Sequence, residues 1–412
     1  MTRILPLLCL TLAVSAADLD TTLDARIAEQ RQVADLLQRS YIFVADGSGV
    51  LIDPAGWIMS NHHVTGGAWE HRVRLASGRS YQAKVVGTDP FGDISLLKIT
   101  NADLDPLPYV PLGRAEDLQL GMPVLAIGNP FGLGDSDDTP TISFGSLGSG
   151  RIVRGVYTDA IQIDAAVNPG NSGGPALSRD GRLLGINGQI RTRTGMRINS
   201  GVGLAIACTQ LQAFLPHLRS TPSGYVHHTA MPKGLELEQK DGHISVVTWR
   251  GAPATADLLS PGDRLLLIAK RAVTSEDTAI GLFASLPWTG PDTTIPVTVQ
   301  TPGSAPRSID LPAGRTPIAG KAWHGLKVTT RPARGDEPAR LVVQSVDPGS
   351  PAAEAGIAPG WVLLKANGRS LTRRIDLLKA LVPVGIGDEL RITGEARDGS
   401  PAEAAFYLRP AH

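Results

Sequence analysis

The sequence predicts a mainly β protein of several domains, and three observations carry that reading. Its 412 residues exceed what one ordinary hydrophobic core serves. Its 46 glycines and 31 prolines punctuate short apolar runs, the rhythm of short strands joined by turns. A pattern of small residues, a Pro-Gly turn and an apolar run occurs twice in the C-terminal part, about 98 residues apart. Hydrophobic residues make up 42% of the chain, enough for packed cores where a disordered chain would fall short. Lys+Arg and Asp+Glu both number 39, so the net charge is zero and no electrostatic footprint for nucleic acid or an anionic membrane is evident.

Arg3, the apolar run 4–14 and the small residues up to Ala17 predict a cleaved signal peptide over 1–17. The run is about half the roughly 20 residues that a membrane span needs. Secretion across an inner membrane, into a periplasm, is the expected destination. Cleavage would remove Cys9 and leave Cys208 as the single cysteine, so no intramolecular disulfide is expected. Residues 18–40 lack Gly and Pro and space Leu23, Ile27, Val33, Leu36 and Leu37 along one helical face, predicting an N-terminal helix. Residues 41–220 then read as many short strands, a barrel or sandwich: VLID-PAG-WIMS, YQAKVVG, DISLLKI, MPVLAIGNP, RLLGING, VGLAIA. Thr221-Pro222-Ser223-Gly224 reads as a linker. The repeated module follows as two copies, over 230–315 and 318–412.

Gly170-Asn171-Ser172-Gly173-Gly174-Pro175 is the strongest chemical signal. A serine hydroxyl becomes a nucleophile only when a base takes its proton, and flanking glycines let main-chain N–H groups converge on the oxyanion that forms. The match also satisfies G-x-S-x-G, the elbow of another hydrolase fold, but Pro175 and the turn Arg179-Asp180-Gly181 disfavour the helix that elbow needs. A base and an acid lie upstream. Ser60-Asn61-His62-His63-Val64 sets a histidine at the end of an apolar strand, and Asp93 opens the strand-like DISLLKI. In such a triad the histidine takes the serine proton while the aspartate fixes its tautomer. His62 competes with His63, since adjacent side chains on a strand face opposite ways and only one serves. Asp89 competes with Asp93. A two-histidine metal site is a further alternative, without an evident third ligand.

These stretches resemble the chymotrypsin-type fold and its HtrA/Deg branch: GSGVLIDPAGWIMSNHHV (47–64), VVGTDPFGDISLLKI (85–99), AIGNPFGLG (126–134), DAAVNPGNSGGP (164–175) and GVGLAIA (201–207). The resemblance implies a chymotrypsin-like double β-barrel protease domain followed by two PDZ-like α+β domains. It selects His63, which directly precedes valine, and Asp93, in its D-I-x-L-L-K context, to act with Ser172. It implies an oxyanion hole from the backbone N–H groups of Gly170 and Ser172. It places Val167 and Ile190 at the primary specificity pocket, hence a preference for small or medium aliphatic residues, with Arg191 a departure from the apolar residue of relatives. The acidic DSDDTPT (135–141) looks like an insertion in an activation loop, and Cys208 replaces a proline. In the second module Trp323-His324-Gly325-Leu326 resembles a PDZ carboxylate loop, with His324, Gly325 and Leu326 at its centre and histidine at a normally apolar position. Lys233-Gly234-Leu235 is a poorer match, so the first copy is expected to have lost peptide binding.

The implied activity is a serine endopeptidase of the cell envelope that cleaves misfolded or exposed protein segments and binds C-terminal peptides at its PDZ modules. No metal or organic cofactor is expected. Relatives form trimers, and Tyr41 and Phe43 are the expected aromatic contacts of a homotrimer. A PDZ-based chaperone or scaffold and a narrow regulatory protease are the alternatives.

Overall fold

The computed structural model describes residues 38–101, 105–154, 157–190, 199–320, 322–333, 337–381 and 383–410, together with Ala28, Arg31 and Asp35. The expected signal peptide lies outside the described residues, as does most of 18–40, where Ala28, Arg31, Asp35 and 38–40 are helical. Among the described residues no helix is long and apolar enough to cross a membrane.

The strand-rich region forms two closed six-stranded antiparallel barrels. The first comprises β1 (Tyr41–Val44), β2 (Gly47–Asp53), β3 (Trp57–Ser60), β4 (Glu70–Leu75), β5 (Ser80–Asp89) and β6 (Ile94–Ile99) in the order 1-2-3-6-5-4. The second comprises β7 (Pro123–Gly128), β8 (Thr141–Arg154), β9 (Tyr157–Ile163), β10 (Pro175–Ser178), β11 (Leu183–Ile190) and β12 (Gly203–Ala207) in the order 10-11-12-9-8-7. The PAG turn joins β2 to β3: Gly56 takes φ 90°, and its N–H donates to the Asp53 carbonyl.

Side chains alternate across each strand, and in strands such as β1 and β7 both sets are buried. In β1, Ile42 and Val44 pack inside the first barrel with Leu51, Ile58 and Leu97, while Tyr41 and Phe43 pack on the opposite face with Val50, Met59 and Leu96. In β7, Val124 and Ala126 fill the second barrel, while Leu125 and Ile127 join that same outer cluster. The helix Cys208–Ser220 closes the cluster with Leu211, Phe214 and Leu218. Strands buried on both faces read as continuous apolar runs. Each Leu- or Phe-sized side chain buried there contributes about 1.5–3 kcal/mol, so this core fixes the barrels against each other. At the head of that helix Cys208 is fully buried, and burial pushes its thiol up to about 12.

One expectation is corrected here. Tyr41 and Phe43 are 0% and 5% exposed, and the Tyr41 hydroxyl hydrogen-bonds Ser48 Oγ at 2.8 Å, so they are core residues and offer no surface for a partner. The segment 221–224, read as a linker, is held in place: Thr88 N–H donates to the Gly224 carbonyl at 2.7 Å and Val226 N–H to the Thr88 carbonyl at 2.8 Å, which lays it along β5.

The two C-terminal modules share one design. The first holds strands Leu235–Lys240, His243–Trp249, Arg264–Ile268, Arg271–Ala272, Thr294–Gln300 and Arg307–Pro312 with the helix Glu276–Phe283. The second holds Leu326–Arg331, Arg340–Val346, Val362–Ala366, Arg369–Ser370, Glu389–Glu395 and Pro401–Tyr407 with the helix Arg374–Leu381. Both are six-stranded sheets with the same strand order, each closed by its own apolar core, as the repeated sequence pattern predicts.

Candidate active site

The serine loop is shaped by glycine. Gly170 takes φ 99°, and a Cβ there would lie 2.0 Å from the Asn129 carbonyl oxygen. Gly173 takes φ 85° and would collide with the Ser48 carbonyl oxygen at 2.0 Å. Only glycine tolerates both the conformation and the contact. The loop is then pinned: Ser48 N–H donates to the Ser172 carbonyl at 2.9 Å, Ser48 Oγ to the Gly170 carbonyl at 2.7 Å, and Gly173 N–H to the Asn187 carbonyl at 2.9 Å. Among the described residues the N–H groups of Gly170 and Ser172 have no acceptor.

The histidines sit differently from expectation. Strand β3 ends at Ser60, and His62–Thr65 is a single helical turn, so strand alternation does not separate His62 from His63. Hydrogen bonding does. His63 Nδ1 lies 2.8 Å and 3.0 Å from the two carboxylate oxygens of Asp93, and His63 N–H donates to the same carboxylate at 3.0 Å. His62 Nδ1 instead meets Thr88 Oγ1 at 2.8 Å, and burial pushes its pKa down, so it is held neutral. Asp93 takes φ 60°, left-handed backbone that costs a non-glycine residue on the order of 1 kcal/mol. Three bonds hold it there: the two from His63 N–H and ring, and one from Asn61 Nδ2 to the Asp93 carbonyl at 2.8 Å. Asp89, the rival aspartate, is fully buried against His228, in the strand His227–Ala230 that leads into the first module.

His63, Asp93, Gly170, Ser172 and Gly188 line one cleft of about 790 Å³ between the barrels. Ser172 Oγ donates to the Gly188 carbonyl at 3.2 Å. Val167, 1% exposed, packs in the core of the second barrel and is not among the residues that line the cleft. Ile190 ends β11, paired with Gly203; its side chain and Arg191 lie outside the described residues. Among the described residues no cluster of three or more metal-ligating side chains occurs. The acidic segment near the cleft is tied down: Asp138 pairs with Arg74 of β4, and Asn129 Nδ2 donates to Asp135 at 2.7 Å.

The segments that resemble carboxylate loops, around Gly325 and Gly234, have the same frame. Gly325 takes φ 81° and its carbonyl accepts Asp347 N–H; Gly234 takes φ 85° and its carbonyl accepts Arg250 N–H. They differ in one donor. Leu326 N–H is taken by the ring of its own neighbour, His324 Nδ1, at 2.9 Å. Leu235 N–H donates to the Pro232 carbonyl at 3.2 Å. In the first module the helix also reaches over the edge strand, where Glu276 accepts Gln239 N–H at 2.8 Å.

Sequence reasoning missed Asn61, Thr88, Gly188 and His228. Asn61 and Thr88 carry one signal, a polar residue at the end of an apolar strand run; Gly188 and His228 carry none that is local.

Comparison with known proteins agrees with this geometry. A family model for a trypsin-like peptidase domain matches residues 47–186, and one for a PDZ domain matches 342–393. A probable periplasmic serine endoprotease of Halomonas elongata, described as DegP-like, is 34% identical over 341 residues, covering 77% of this chain and 69% of the relative. Its counterpart in Chlamydia pneumoniae is 31% identical over 355 residues, covering 81% and 70%. The solved structure of the HtrA-type protease AlgW with a tripeptide is similar at TM-score 0.53 and 30% identity, covering 70% of this chain and 97% of that one. With a trypsin-like double barrel, a PDZ domain and relatives named as serine endoproteases, the chain is a serine endopeptidase that acts on protein substrates and belongs to the HtrA/Deg family.

Proposed function

We propose that His63, Asp93 and Ser172 carry out the hydrolysis. The observation that carries this reading is the bidentate approach of Asp93 to His63 Nδ1 inside the cleft that Ser172 also lines. A nitrogen facing a carboxylate bears the proton, so Nε2 is left as an acceptor for the serine proton. Ser172 Oγ rotates from the Gly188 carbonyl toward His63, attacks the scissile carbonyl, and passes its proton to Nε2. The backbone N–H groups of Gly170 and Ser172, which lack acceptors among the described residues, stabilise the oxyanion. His63 then protonates the leaving amine, and water repeats the sequence on the acyl-enzyme. Val167 and Ile190 shape the specificity pocket in this reading, with Val167 acting from behind the wall, and small or medium aliphatic residues are preferred.

The enzyme works in the periplasm, the location that its relatives' names give and that the leader-like segment 1–17 supports. In this reading its substrates are misfolded or exposed protein segments. Residues 41–220 form the catalytic domain, and 230–315 and 318–412 the two modules. The second captures C-terminal carboxylates at Gly325 and Leu326, displacing His324 from Leu326 N–H. A homotrimer is part of the reading, through surfaces other than Tyr41 and Phe43.

Labelling with a fluorophosphonate tests the nucleophile. The wild-type chain takes up one probe per site, and Ser172→Ala takes up none while keeping its circular dichroism spectrum. Labelling of the variant at the wild-type rate would remove Ser172 from the mechanism.

A further inference from the structure

Outside the cleft, one more histidine touches the catalytic loop. His228 lies in the strand His227–Ala230, at the entry to the first C-terminal module, and its side chain and that of Asp89 are both 0% exposed. Its ring is held on all sides. Nδ1 meets the Ala284 carbonyl at 2.6 Å, just past the end of that module's helix Glu276–Phe283. Nε2 meets Asp89 Oδ2 at 2.7 Å. The Phe91 and Phe214 rings pack on it at 4.8 and 4.3 Å between centroids.

Asp89 is itself connected. Its other oxygen accepts Gly92 N–H at 2.8 Å, and Gly92 immediately precedes Asp93. The approach is so close that a Cβ on Gly92 would lie 2.2 Å from Asp89 Oδ2 and 2.9 Å from His228 Nε2. The turn between β5 and β6 is therefore moulded onto this pair. A carbonyl only accepts, so Nδ1 carries a proton, and the remaining nitrogen shares one with Asp89.

We propose that His228 is a positioning residue for catalysis: it ties the helix end of the first module to Asp89, and so holds the turn that presents Asp93 to His63. The proposal rests on Asp93 being the acid of the triad. A buried ion pair gains little net stability over well-packed apolar side chains, so stability alone does not call for one here. Fixed direction does, because each atom of the chain Ala284–His228–Asp89–Gly92 has a single partner to face. Competence of the active site then depends on how the first module is seated, even if that module binds no peptide. The effect falls on turnover, since the Asp93–His63 geometry is needed in the transition state and not for substrate binding.

Two conservative substitutions divide the roles of the ring. In His228→Gln the amide nitrogen takes the place of Nε2, keeping Asp89 and losing Ala284. In His228→Asn it takes the place of Nδ1, keeping Ala284 and losing Asp89. With fluorescein-labelled casein and the full chain, His228→Asn lowers kcat about 10- to 100-fold with KM within about twofold, while His228→Gln lowers kcat less than about threefold. Hydrogen exchange of the Gly92 amide accelerates in His228→Asn alone, a readout independent of turnover. Equal losses in the two variants, as ring packing between Phe91 and Phe214 would give, or an unchanged kcat in His228→Asn, overturns the proposal. Asp93→Asn run alongside keeps the readings apart: an active Asp93→Asn removes the triad itself, whereas an inactive one with equal position-228 variants removes only the role of His228.

Discussion

Two histidine–aspartate pairs stand on either side of one short turn, with the same chemistry in opposite surroundings. His63 and Asp93 approach to 2.8 Å, with the histidine side chain 50% exposed and the aspartate 13%. His228 and Asp89 approach to 2.7 Å with neither exposed at all. In the first pair one ring nitrogen is bound and the other is left to the cleft. In the second both nitrogens are bound and nothing is left over. In the proposed mechanism the first pair is catalytic through the nitrogen it leaves unsatisfied, while the second, with both nitrogens bound, holds position.

The largest expected effect separates the pairs by one substitution made twice. Asp93→Asn keeps the shape but presents an amide to His63 Nδ1 and favours the wrong tautomer, so kcat falls about 10⁴-fold. The same change at Asp89 keeps an acceptor for Gly92 N–H and offers a donor to a neutral His228, so kcat falls less than about tenfold, since directed hydrogen bonds survive the loss of charge. Steady-state cleavage of casein by both variants reads the difference, and similar losses would erase the distinction between the pairs.

A third histidine tests the idea at a smaller scale. His324 Nδ1 accepts the Leu326 N–H that would receive a peptide carboxylate in the proposed loop. His324→Leu frees that donor and raises affinity for a C-terminal peptide about 3- to 10-fold, the worth of one hydrogen bond of about 1 kcal/mol. Fluorescence anisotropy with the peptide and its C-terminal amide checks this, and unchanged affinity would show that the ring does not compete.

The smallest effect concerns His62, bonded to Thr88 and held neutral by burial. Its folded pKa lies below its unfolded value of about 6.5, so its neutral form stabilises the fold fully above that pH, and the contribution is lost as pH falls toward the folded pKa. His62→Gln should flatten the fall in melting temperature between about pH 7 and pH 5 relative to wild type. An identical pH profile in the variant would place the acid sensitivity elsewhere.

Much of this architecture was legible because it is written locally. The apolar runs of β2, β3, β5, β6, β7, β11 and β12 stand between Gly and Pro punctuation in the sequence, and the glycines about Ser172 follow from positive φ and close backbone contact. What was not legible depends on distant partners. Tyr41 and Phe43 read as surface aromatics because a strand has two faces, and only the packing of one barrel on the other buries the second. His62 and His63 could not be ranked by a strand rule because their backbone is helical. Asp89 was a rival to Asp93 until His228, 139 residues later, accounted for it.

Cys208 carries a last consequence. Its thiol is buried at the head of the helix Cys208–Ser220, and burial pushes it up to about 12, well away from the thiolate form near neutral pH. Oxidants and mixed-disulfide reagents act on thiolates. Burial and the raised pKa together make Cys208 a poor target for such reagents in the folded protease core.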